Sequence, residues 1–116
     1  DNGWQFHPEG LSFLIREVTQ RLPYPLILAE NGMADASDLK RQKLIVDAMA
    51  VMDRALNEKI DLRGYYHWSL MDNFEWLHGY KYKFGLVEID FKNNLLRTPR
   101  KSAYVYRHEI SKMPAH

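Results

Sequence analysis

Residues 24–32, Tyr24-Pro25-Leu26-Ile27-Leu28-Ala29-Glu30-Asn31-Gly32, decide how the rest of the chain is interpreted. Behind Pro25 lies a short apolar run of strand length, which stops at a carboxylate and then at an Asn-Gly pair that favours a tight turn. The run predicts a buried strand ending on Glu30. On its N-terminal side, Leu11, Leu14, Ile15, Val18 and Leu22 recur at helical spacing between His7-Pro8 and Pro23, predicting an amphipathic helix over 9–22. On its C-terminal side, Ser37 or Asp38 is placed to cap a second helix. There Leu44, Ile45, Ala48, Met49, Met52, Ala55 and Leu56 trace one apolar face, and the helix runs to about Asn57 or Glu58.

A second strand is predicted over 64–70, Gly64-Tyr65-Tyr66-His67-Trp68-Ser69-Leu70, rich in aromatics and followed by a polar and aromatic loop from Met71 to Tyr82. Residues 84–91 are expected to form a short extended piece that turns at Asn93-Asn94. Thr98-Pro99 then offers an N-cap with Pro at the first helical position, opening a helix with Ala103, Tyr106 and Ile110 on one side. The order helix, strand, helix, strand, helix implies an α/β class with parallel strands and covering helices. No internal repeat, low-complexity tract or linker interrupts it.

The chain has 116 residues, enough for one domain with a sizeable core. Sixteen Lys plus Arg against fifteen Asp plus Glu leave a formal charge of +1, so no field favours nucleic acid or a membrane surface. Absence of Cys excludes disulfides, thiolate metal sites and a Cys nucleophile, and is compatible with a reducing, cytoplasmic compartment. The longest apolar runs are too short to span a bilayer, and the first residues lack the layout of a signal peptide. Asp1-Asn2-Gly3-Trp4-Gln5-Phe6 forms no recognisable cap, and the expectation is a fragment or one part of a split protein.

In α/β barrels the chemistry sits where strands run into loops, which makes Glu30 and the segment after Trp68 candidates by location. Location alone does not assign a role, since a strand-end Glu is common and dense aromatics more often belong to core packing. His7 with Glu9, or His67 with Asp72 and His78, lack metal-ligand spacing, so no metal is expected. His67, Ser69 and Asp72 give no triad signal, because adjacent strand residues face opposite ways. Lys40-Arg41-Gln42-Lys43 is most simply a solvated helix face.

The strings themselves are more specific. Ala29-Glu30-Asn31-Gly32, then His67-Trp68-Ser69-Leu70-Met71-Asp72-Asn73-Phe74-Glu75-Trp76, then Phe84-Gly85-Leu86, together resemble glycoside hydrolase family 1. Asp1-Asn2-Gly3-Trp4 with Pro8-Glu9-Gly10-Leu11 is similar to the segment preceding the seventh strand of that family, and Pro99-Arg100-Lys101-Ser102-Ala103 to its last helix. Ala29 stands where many members have Thr, and His67 where many have Val or another apolar residue; both resemble the branch of β-glycosidases from heat-loving microbes.

The resemblance implies the C-terminal part of a (β/α)8 TIM barrel: its last two βα units plus a preceding helix, an incomplete barrel in one domain over 1–116. It implies a retaining β-glycosidase of β-glucosidase or β-galactosidase type, with Glu30 as nucleophile and no cofactor. Glu75, Trp68, Trp76 and Phe84 would bind a β-glycoside or oligosaccharide substrate. The acid/base Glu of the family lies in an Asn-Glu-Pro segment after the fourth strand, and no such segment occurs here. The missing N-terminal barrel part would supply it, so the chain alone is expected to be inactive. The alternative is a non-catalytic remnant, or an interaction or sugar-binding module that pairs with another polypeptide.

Overall fold

The computed structural model describes residues 3–113; Asp1 and Asn2, part of one string quoted above, lie outside them. In chain order the elements are α1 (Glu9–Arg21), β1 (Leu26–Asn31), α2 (Leu39–Asn57), β2 (Leu62–His67), a 3-10 turn (Trp76–His78), β3 (Val87–Asp90), β4 (Leu96–Pro99) and α3 (Lys101–Ile110). β1 and β2 pair in parallel, as the alternation with helices requires. β3 and β4 form a separate antiparallel hairpin.

The core lies between α2 and the sheet. Leu44, Ile45, Ala48, Met49, Val51, Met52 and Ala55 are buried along α2 at three- and four-residue intervals. Of these, Ala48, Val51, Met52 and Ala55 cluster with Leu11 and Ile15 of α1 and Leu62 of β2, with Leu26, Leu28 and Tyr65 packed against them. Each fully buried Leu, Ile or Met contributes about 1.5–3 kcal/mol over its exposed state. The opposite face of the sheet is open. Ile27 is 59% exposed and Tyr66 61%, so the expected buried strand is covered on one side only. Two strands provide nothing to pack there.

Four local expectations change. The tight turn falls at 36–37 instead of Asn31-Gly32; Gly32 is required by close approach, since a Cβ there would lie 1.7 Å from the Trp68 carbonyl oxygen. α2 is capped by Asp35, whose carboxylate accepts the Lys40 and Arg41 N–H groups at 2.8 and 3.1 Å. Asp38, with φ 66°, has turned its carboxylate away to accept the Ser102 N–H at the start of α3, at 2.9 Å. β2 ends at His67, three residues early, because Ser69 and Leu70 pair with the returning segment at Phe84, Leu86 and Val87. Thr98 and Pro99 finish β4 and α3 starts after Arg100. Pairing of Val87 with Pro99 and Glu88 with Thr98 holds them extended, and Pro, having no N–H, suits such a strand end.

Candidate active site

Glu30 is the penultimate residue of β1. Strict alternation from Leu26 and Leu28, which pack on the helices, would send it to the helix side. The register is irregular between Leu28 and Asn31, and Glu30 lies exposed at the border of two concavities. One runs between α1 and β1. The other, of about 500 Å³, opens at the C-terminal end of the sheet and is lined by Glu30, Trp68, Glu75, Trp76 and Phe84. All five residues singled out from the sequence therefore meet in one hollow.

Trp68 follows directly on β2, and its N–H donates to the Asn31 carbonyl at 2.9 Å. That bond ties the tryptophan to the residue beside Glu30. Phe84 is carried back to the same place by a loop that runs alongside residues 69–72: the Ser69 N–H donates to Phe84 and the Leu86 N–H to Ser69, at 3.2 and 2.9 Å. Gly85 permits that approach, because a Cβ there would lie 2.2 Å from the Asp72 nitrogen.

A buried ion pair locks the loop. Asp72 accepts both terminal nitrogens of Arg100, at 3.0 and 2.8 Å, and the Gly85 N–H at 3.0 Å. Burial alone would raise the Asp72 carboxyl, but these hydrogen bonds and the charges of Arg100 and Lys83 outweigh it and hold the group below its usual range. Asp72 is thus a clamp between the aromatic loop and the start of α3.

Glu75 and Trp76 sit at the tip of that loop. The Glu75 N–H donates to Gly79 at 2.7 Å and the His78 N–H to Glu75 at 2.9 Å, closing a turn that leaves Trp76 85% exposed. Burial pushes the Glu75 carboxyl up, and His78 offsets part of the shift. Its Oε1 is buried without a hydrogen-bond partner. A buried acceptor of this kind is costly unless a donor meets it.

Trp4, Leu77, His78 and Tyr82 also line the hollow. Neither their residue types nor their spacing in the sequence points to a role. Trp4 meets Phe84 edge-on at 5.8 Å and His78 meets Tyr82 at 4.8 Å. These are contacts between residues whose types alone suit a core or a surface equally. Among the described residues no group of three His, Asp or Glu side chains converges as a metal site would.

The chain matches the model of glycosyl hydrolase family 1 over residues 1–114. It is 45% identical to a β-galactosidase of Sulfolobus acidocaldarius over 92% of its own length and 22% of that protein's. It is 36% identical to β-glucosidase 30 of Arabidopsis thaliana, over 97% and 22%. The solved β-glycosidase of the hyperthermophile Thermosphaera aggregans superposes with a TM-score of 0.90 at 43% identity, covering 94% of this chain and 22% of that one. A Thermotoga maritima β-glucosidase solved in complex with glucoimidazole gives 0.88 at 30% identity, over 94% and 27%. The chain spans about a fifth of the length of the curated relatives it matches. With a family match across nearly all its residues and a backbone that superposes on solved β-glycosidases, this chain belongs to glycosyl hydrolase family 1.

Proposed function

We propose that the chain is the C-terminal part of the (β/α)8 barrel of a retaining β-glycosidase, a single domain whose remaining strands lie in another part of the protein. The carrying observation is the meeting of two carboxylates and three aromatic side chains in one hollow at the C-terminal end of parallel strands. That end is where barrel enzymes keep their chemistry. The substrate is a β-glycoside ending in glucose or galactose, as the names of the relatives suggest.

In this reading a Glu30 oxygen attacks the anomeric carbon as the bond to the leaving oxygen breaks, forming a glycosyl ester. The leaving oxygen takes its proton from a carboxylic acid in the missing barrel part, about 5 Å from Glu30. That group then deprotonates the water that displaces Glu30, restoring both carboxyls and retaining configuration. Glu75 accepts hydrogen bonds from sugar hydroxyls, a role that suits its unpartnered buried Oε1. Trp76 donates its indole N–H to a hydroxyl, Trp68 supplies an apolar floor for the pyranose C–H face, and Phe84 closes the pocket.

The test supplies the missing part. With the complementary N-terminal segment present, by coexpression or in one continuous chain, an aryl β-glucoside should turn over. Glu30→Gln should abolish turnover while sugar binding persists, because the amide keeps shape and hydrogen bonds but forms no ester. Retained turnover with lost affinity would make Glu30 a binding residue instead.

A further inference from the structure

We propose that His67 is a positioning residue for this site, holding the ends of β1 and β2 in place only as a neutral imidazole. It is the last residue of β2 and pairs in register with Asn31, the last of β1. Glu30, the proposed nucleophile, adjoins Asn31, and Trp68, the proposed floor of the sugar site, adjoins His67. The Tyr65 hydroxyl donates to Asn31 Oδ1 at 3.0 Å and the Trp68 N–H to the Asn31 carbonyl at 2.9 Å, so the pair is the junction on which both depend.

The His67 ring points away from the hollow, into the layer between sheet and helices. From α3, Tyr106 packs on it with ring centroids 6.1 Å apart, and the Tyr106 hydroxyl donates to the Tyr65 carbonyl at 3.1 Å. It faces the charges of Arg41 on α2 and of Asp38 just before that helix; Tyr65, two residues back on its own strand, packs against the same Tyr106 ring. Both ring nitrogens are buried without hydrogen-bond partners, as are Arg41 Nε and Ser102 Oγ.

A proton added here finds no free counter-charge. One oxygen of Asp38 is taken by Arg41 and the other by the Ser102 N–H and Gln42. Arg41, fully buried, adds a repulsive positive charge. Burial first, then Arg41, pushes His67 down to about 4, with Asp38 opposing only in part. The unfolded chain binds a proton near pH 6.5. Stability from neutral His67 is therefore full above that value and drains away as pH falls towards 4.

The experiment uses the complete protein that carries this chain, as wild type and as His67→Phe, which keeps a ring without a titratable nitrogen. The melting temperature is followed from pH 7.5 to 4, together with the pH at which half the glycosidase activity survives a fixed incubation. The wild type should lose melting temperature steadily below about pH 6.5, whereas the variant's curve should be flatter and its half-survival pH lower by roughly one unit. Superimposable pH curves for the two proteins would overturn the proposal, whatever the absolute stability of the variant. Should His67→Phe not fold, NMR titration of labelled imidazole in the wild type decides instead. Protonation of His67 near pH 6.5 without loss of protection in β2 overturns it; resistance to protonation until the fold opens supports it. The melting readout does not use sugar, so absence of glycosidase activity at pH 7.5 would count against the proposed function and leave the His67 result standing.

Discussion

Replacing Asp72 with Ala should be among the most damaging changes available outside the apolar core. The substitution removes three hydrogen bonds at once: two from the Arg100 guanidinium, at 3.0 and 2.8 Å, and one from the Gly85 N–H at 3.0 Å. Arg100 keeps its bond to the Gly85 carbonyl at 2.6 Å. Its side chain is only 8% exposed, however, and Glu88, 3.9 Å away and itself exposed, is a weak substitute partner. Breaking a buried ion pair from one side costs about 3–5 kcal/mol, and the Gly85 and Glu88 contacts place this case near the lower figure. Urea denaturation of the complete protein as wild type, Asp72→Ala, Arg100→Met and the double variant measures the coupling. We expect the double variant to be clearly less destabilised than the sum of the singles, with a coupling of at least about 1.5 kcal/mol. Because Asp72 is held below its usual value, its contribution is complete above about pH 4 and is lost as pH falls through the folded-state value. The penalty of Asp72→Ala should shrink accordingly in acid. Additive effects, with coupling under about 0.5 kcal/mol, would refute the clamp.

Gly32→Ala should destabilise the junction of Glu30 and Trp68, since the added methyl would lie 1.7 Å from the Trp68 carbonyl; an unchanged melting temperature would show that the backbone relaxes freely there. Glu75→Ala in the complete enzyme should lower kcat/KM by roughly ten- to a hundredfold, the equivalent of about 1.5–3 kcal/mol for a hydrogen bond to a charged group. The ratio of glucoside to galactoside hydrolysis should move with it. Azide should rescue Glu30→Ala with inversion and leave Glu75→Ala unaffected; the reverse pattern would exchange the two roles. The 116-residue chain alone should hydrolyse no aryl β-glucoside and should self-associate, because two strands leave ladder groups and an apolar face open. A monodisperse, cooperatively unfolding monomer would count against that expectation.

Much of this chain is legible before folding is considered. The spacing of Leu44, Ile45, Ala48, Met49, Met52, Ala55 and Leu56 is a consequence of the 3.6-residue helical period, and all are buried on α2 except Leu56, which is partly buried. The alternation of helices and strands points to parallel pairing, since the intervening helix carries the chain back to the start of the next strand. The three strings around Glu30, Trp68 and Phe84, through the family they resemble, singled out five residues that line one hollow.

The mistaken expectations share a cause. Ser37 and Asp38 are good local caps, yet Asp35 caps α2 and Asp38 serves α3, 64 residues away in sequence from its partner Ser102. Lys40-Arg41-Gln42-Lys43 suggests a solvated face, but Arg41 is fully buried between Asp38 and the carbonyls of Asp35 and Lys83. His67, Asp72 and Arg100 likewise acquire their meaning from partners on other elements. Sequence by itself determined the periodicities, the order of elements and the residue types delivered to the strand ends, because those depend on backbone geometry and near neighbours. Which carboxylate caps which helix, which charges are buried, and how Glu75 and Phe84 come to share a hollow with Glu30 were decided only by tertiary structure. Burial and long-range hydrogen bonding are properties of the packed chain, and no local preference along the sequence encodes them.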